Sequence, residues 1–198
     1  MNVIADNRGA AHRGDARQWF AVQWVLANAA GVAASMAITK AIGPIGFACL
    51  GIIPGVLQWL LLRREVPGLG WWAAMSSAGL ALGFFLAMLP MNMAGVDGPQ
   101  VAPLFTLGFG LMGAVPGFLQ WLLLRRRVPR SGWWVLASGV GMAGCGMAYL
   151  GLTRGSDVRI AWGGAAGGAV YAAVTGIVLA WLLRSYRRGD GSTAVTAV

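Results

Sequence analysis

Ionisable side chains are scarce in this 198-residue chain, and their scarcity removes whole classes of function. Charged residues make up 11 % of the sequence, against about 25 % in a soluble domain. The single histidine, His12, lies in a polar N-terminal stretch, so no histidine-based triad or histidine zinc site is expected. Cys49 and Cys145 stand alone in apolar runs, without a CxxC pair, and read as small buried hydrophobes. The acidic residues are Asp6, Asp15, Glu65, Asp97, Asp157 and Asp190, all in tails or links, so no span carries a carboxylate for acid–base chemistry. No glycine cluster is followed by Lys-Ser/Thr, which excludes a phosphate loop. No cofactor, metal or enzymatic activity is therefore expected. The net charge of +9 comes from residues at the ends of apolar runs, not from a basic stripe interleaved with aromatics. A nucleic-acid partner is not expected either.

What the chain has in excess is apolar surface. Apolar residues reach 58 % and glycines number 31, against roughly 45–50 % apolar in soluble proteins. Spanning a bilayer takes about 20 mostly apolar residues, and runs of that kind lie near 18–40, 44–62, 71–92, 102–124, 132–152 and 160–183. Gly43-Pro44, Val66-Pro67-Gly68, Val128-Pro129-Arg130 and the polar stretches 92–100 and 153–159 break them. These features predict an all-α polytopic membrane protein with six transmembrane helices. Residues 1–17 read as a polar tail, 18–188 as the membrane domain and 189–198 as a disordered C-terminal tail. Twelve of the fifteen basic residues fall on one side of such a bundle, and only Lys40, Arg154 and Arg159 on the other. The positive-inside rule then places both termini in the cytoplasm.

The chain also repeats itself. Residues 51–67 and 113–129 agree at thirteen of seventeen positions, and both lead into Gly-Trp-Trp, at 70–72 and 132–134. Trp24-x3-Asn28-x2-Gly31 aligns with Trp72-x3-Ser76-x2-Gly79 and Trp134-x3-Ser138-x2-Gly141. The expected unit is a two-helix hairpin used three times in one orientation, over 18–68, 70–130 and 132–188. In the third copy an alignment on Trp181 puts Ala180 at the glutamine position and Gly176 at the proline position; alignment on Arg184 shifts this by one. Hairpins that end in Gln-Trp-Leu-x-Leu-Arg-Arg and restart at Trp-Trp resemble uncharacterised small multi-pass membrane proteins of bacteria. The resemblance implies a site in the bacterial cytoplasmic membrane and no particular activity.

Four groups of residues could carry function. Asn28, Gln58, Ser76, Gln120 and Ser138 form a polar layer about 6–8 Å inside the arginine boundary, from a rise of about 1.5 Å per residue. That layer is either interhelical glue, pairing Asn28 with Gln58 and Ser76 with Gln120, or a shallow pocket. Pro54 and Pro116 fall near mid-membrane and are expected to kink their helices. Trp24, Trp59, Trp72, Trp121, Trp134 and Trp181 read as interfacial aromatics, with ligand contact by Trp59 and Trp121 as the sharper reading. Arg63, Arg64, Arg125, Arg126, Arg127, Arg187 and Arg188 form a collar suited to anionic lipid headgroups. The leading expectation is a non-enzymatic protein that binds lipid or another membrane component, or serves as an accessory subunit, with a membrane-protein partner or a second copy. The alternative is a small transporter or channel for an uncharged or lipophilic molecule.

Overall fold

The structure, a computed structural model, describes residues 3–42, 47–93, 101–153 and 158–193, with side chains over 19–42, 49–89, 103–152 and 162–186. Among the described residues six helices make up the fold: α1 (Val3–Ile42), α2 (Phe47–Leu62), α3 (Trp72–Met93), α4 (Val101–Leu124), α5 (Trp133–Thr153) and α6 (Val158–Thr193). No strand occurs among the described residues. In hydrocarbon the backbone must satisfy its own polar groups, and a helix does so within one segment. Five helices are long and apolar enough to cross a bilayer. The sixth, α2, has 16 residues and so a length of about 24 Å, short of the roughly 30 Å hydrocarbon thickness. The start of the expected 44–62 span lies outside the described residues.

Two helices extend beyond the apolar runs read from the sequence. Helix α1 begins at Val3, inside the stretch that reads as a tail, because its alanines, arginines and glutamine are good helix formers. Helix α6 continues to Thr193, past the expected end of the membrane domain; residues 194–198 are outside the described set.

Each helix packs on its neighbours in chain order, and α6 returns to pack on α1. Among the described residues no two non-neighbouring helices bring their backbones together, so the backbones form a closed ring of six whose middle is bridged by side chains alone. Close approach comes from small residues at the crossings. A methyl group on Gly79 would run into the backbone of Pro116, and one on Gly31 would sit 3.1 Å from Pro54 Cα. The prolines thus lie at the α1–α2 and α3–α4 crossings, buried inside helices that continue on both sides of them.

Helices α2 and α4 end alike. The amides of Val66 and Val128 bond back to Leu62 O and Leu124 O at 2.9 and 2.8 Å, after which Pro67 and Pro129 turn the chain. The residue after each proline is left-handed, Gly68 at φ 80° and Arg130 at φ 59°. A proline followed by positive φ is the type II turn pattern. Val66 and Val128 point inward and are buried.

At this arginine-rich end the middle of the ring is filled. Trp24, Trp72 and Trp134 are fully buried and join one apolar cluster with Leu62, Leu124 and Leu179 and with Val66, Val128 and Leu183. Trp134 packs on both other indoles, with ring centroids 6.1 Å from Trp24 and 5.7 Å from Trp72. These three tryptophans are therefore interior residues and not interfacial anchors. What turns them inward is a polar partner for each indole N–H.

Candidate functional site

Just inside the tryptophan plug lies a layer of amide and hydroxyl groups. Gln58 uses both ends of its amide: Nε2 donates to Asn28 Oδ1 at 2.7 Å, and Oε1 accepts from Trp72 Nε1 at 3.0 Å. Gln120 repeats the arrangement, donating to Ser76 Oγ at 2.7 Å and accepting from Trp134 Nε1 at 2.8 Å. Asn28 and Ser76 in turn donate to the carbonyls of Trp24 and Trp72, each at 2.8 Å. Each glutamine thus ties its own helix to the helix before it and the helix after it. A buried side-chain amide in a membrane interior is costly without partners, and here both its donor and its acceptor are engaged.

The third tryptophan closes the circuit through a residue that sequence reasoning missed. Trp24 Nε1 donates to Thr175 Oγ1 at 3.2 Å, which links α1 to α6. Thr175 stands 117 residues after Gln58, and Tyr171 stands 117 after Pro54. Tyr171 Cα lies 3.4 Å from a methyl placed on Gly141, as Pro54 and Pro116 meet Gly31 and Gly79. Thr175 and Tyr171 thus make contacts like those of the glutamines and prolines, and they lie five residues before the Ala180 and Gly176 of a tryptophan-anchored alignment. A threonine hydroxyl in the apolar run of α6, one turn after that of Tyr171, was the available signal. Ser35, also missed, is fully buried and bonds Gly31 O at 2.7 Å and Cys49 O at 2.9 Å, holding α1 to α2.

Ser138 is the exception in the layer. It is fully buried, and its Oγ has no hydrogen-bond partner. The Tyr171 hydroxyl faces both Ser138 and Gln58 without completing a bond to Ser138 Oγ. Beside the layer, the middle of the ring holds a cavity of about 50 Å³ with side chains from all six helices around it, among them Asn28, Gln58, Ser76, Gln120 and Tyr171. A water needs about 10–15 Å³ on the same measure and two to four polar partners, so a few waters fit there and little else does.

The remaining aromatics lie farther out. Trp59 and Trp121 are half-buried, and the guanidinium groups of Arg63 and Arg125 lie 5.1 and 5.3 Å from their ring centroids. Such cation–π pairs are worth about 0.5–1 kcal/mol at exposed sites. Arg64 and Arg126 are exposed, and the Arg127 guanidinium lies against Gly68, so one proline turn leans on the other. Arg187 and Arg188 belong to α6, with side chains outside the described set. No group of three or more His, Cys, Asp or Glu that could hold a metal occurs among the described residues.

A depression lies on the outer flank of α6. It has a volume of about 790 Å³, with Ala21 and Val25 of α1 on one side and Trp133 of α5 on the other; α6 contributes Gly176, Ile177, Trp181 and Arg184 among others. Apart from Arg184 and the two indoles its walls are aliphatic.

Searches of protein-family models, curated proteins and solved structures each return no match for this chain.

Proposed function

We propose that the chain is a non-enzymatic protein of the bacterial cytoplasmic membrane that binds anionic lipid at its arginine-rich end and conducts no solute. In this reading it crosses the bilayer six times as three co-oriented hairpins, with both termini cytoplasmic. A plug of mutually packed, fully buried indoles across one end of the ring carries the argument against transport. The space beside that plug has room for a few waters only. The matching approaches of Gly31, Gly79 and Gly141 to Pro54, Pro116 and Tyr171 support the hairpin repeat. Exposed arginines beside half-buried tryptophans support contact with an anionic leaflet, at about 1 kcal/mol for each basic residue near the surface.

Reconstitution into vesicles tests both halves. Efflux of water and of small neutral solutes should match protein-free vesicles, and protein purified in mild detergent should carry anionic phospholipid above its share of the membrane. Solute efflux faster than from empty vesicles would instead favour the transporter reading. A stable protein partner in place of lipid would favour the accessory-subunit reading.

A further inference from the structure

The depression on α6 coincides with two positions where this helix has smaller side chains than α2 and α4, although a methyl on Gly176 would already meet Trp24 at 3.1 Å. Counting from the residue that meets each crossing glycine (Pro54, Pro116 and Tyr171), the fifth residue on is Trp59, Trp121 and Gly176. The ninth is Arg63, Arg125 and Ala180. On α2 and α4 an indole with an arginine over it occupies that outer face. On α6 the same positions hold a hydrogen atom and a methyl group, and the groove opens there.

Its dimensions and charge identify an occupant. From Arg184 back to Ala173 the groove follows eleven residues of α6, about 16 Å at a rise of about 1.5 Å per residue. That is close to half of a hydrocarbon layer of about 30 Å, the depth of one leaflet. The walls along this length are apolar, and an exposed arginine stands at the end where headgroups lie. Trp133 and Trp181, both exposed, border the groove with indoles suited to the headgroup boundary. Its volume falls in the roughly 300–1,000 Å³ range of ligand clefts.

We propose that this groove is a binding site for one anionic phospholipid, an acyl chain lying along Ala173, Gly176 and Ala180 and the phosphate paired with Arg184. Guanidinium and phosphate match as a fork of charge-assisted hydrogen bonds. A free phosphate would leave the aliphatic length of the groove unused, and a zwitterionic lipid would bring the arginine less net attraction. The assignment rests on the lipid-binding reading above and narrows it to one site.

Native mass spectrometry of the whole protein from mild detergent tests it, with phosphatidylglycerol or phosphatidylcholine added at equal concentration. One phosphatidylglycerol should remain bound and phosphatidylcholine should not. Arg184→Gln should weaken retention about fivefold, the worth of one surface arginine against anionic lipid. Ala173→Trp, on the exposed face of α6, should abolish retention, whereas Ala78→Trp, on the exposed face of α3, should leave it unchanged. Thermal unfolding of each variant separates loss of the site from loss of the fold. If phosphatidylglycerol stays bound to both groove variants as to the parent protein, the groove assignment falls and the broader lipid reading stands. Equal retention of the two lipids overturns the role of Arg184. If the parent protein retains neither lipid, both readings fall. A doubled mass that Ala173→Trp abolishes gives the groove to a second copy of the chain and overturns the inference.

Discussion

Gln58 and Gln120 show how much one side chain can organise in a medium without water. Each joins three helices, because the carboxamide has a donor end and an acceptor end that point to different neighbours. Hydrogen bonds between membrane helices average about 0.6 kcal/mol and reach about 1.7. Gln58→Leu removes two of them and strands the Trp72 N–H, so it should destabilise the protein by about 1–3 kcal/mol in unfolding titrations with denaturing detergent. A cycle with Trp72→Phe should show coupling of about 1 kcal/mol. Additive effects would mean that the amide and the indole do not act as a pair. Thr175 fills the corresponding place on α6 with a shorter side chain that spans one gap instead of two. That shortening accompanies the unpartnered Ser138 next to Tyr171.

For the helices and turns, much was readable beforehand. Apolar runs ended by arginines and prolines marked the four inner helices to within three residues, because helix termination by proline and burial in lipid are both local effects. Helices α1 and α6, by contrast, extend well beyond their apolar runs into the polar ends of the chain. The way each helix faces was less readable. Trp24, Trp72 and Trp134 lie near the arginine boundary, as interfacial anchors do, and only a partner on another helix decides whether an indole turns inward or outward. Trp71 and Trp133 are exposed while their immediate neighbours are fully buried, so the Trp-Trp pair contains one of each. The contacts of α6 were unreadable for a related reason: Thr175 and Tyr171, which meet Trp24 and Gly141, lie five residues before the positions that an alignment on Trp181 points to. The proline turns carry a prediction of their own. Gly68 adopts its left-handed conformation at no steric cost, whereas Arg130 carries a Cβ in the same region, at a cost of roughly 1–2 kcal/mol. Arg130→Gly should therefore raise stability by up to about 1 kcal/mol, after the larger backbone entropy that glycine loses on folding. An unchanged or lower unfolding midpoint would mean that the arginine side chain compensates for its backbone.

On the scale of the whole molecule, the proposed permeability barrier and much of the packing at one end of the ring rest on the same plug. Trp134 touches both other indoles and donates to Gln120, so Trp134→Ala takes away the ring that connects them. Aromatic-to-alanine changes in a core cost about 3–5 kcal/mol. Where the variant remains folded, the vacated volume lies next to the polar cavity, and water flux through reconstituted vesicles should rise above that of the parent protein. Trp134→Phe, which keeps a six-membered ring in the plug but loses the pyrrole part with its N–H to Gln120, should leave flux unchanged and cost about 1–2 kcal/mol. An alanine variant that is folded and watertight would place the permeability barrier elsewhere along the ring.

Closure of the ring by α6 against α1 also imposes an order on biogenesis. The bond that completes the circuit joins residues 151 positions apart, a stretch that takes about 8–30 s to translate at roughly 5–20 residues per second. Throughout that interval the first tryptophan has been inserted while its acceptor has yet to be made, and one flank of the nascent protein stays open to lipid. A chain that stalls or is truncated before its last helix would keep that unsatisfied seam, a mark by which membrane proteases could tell it from the finished protein.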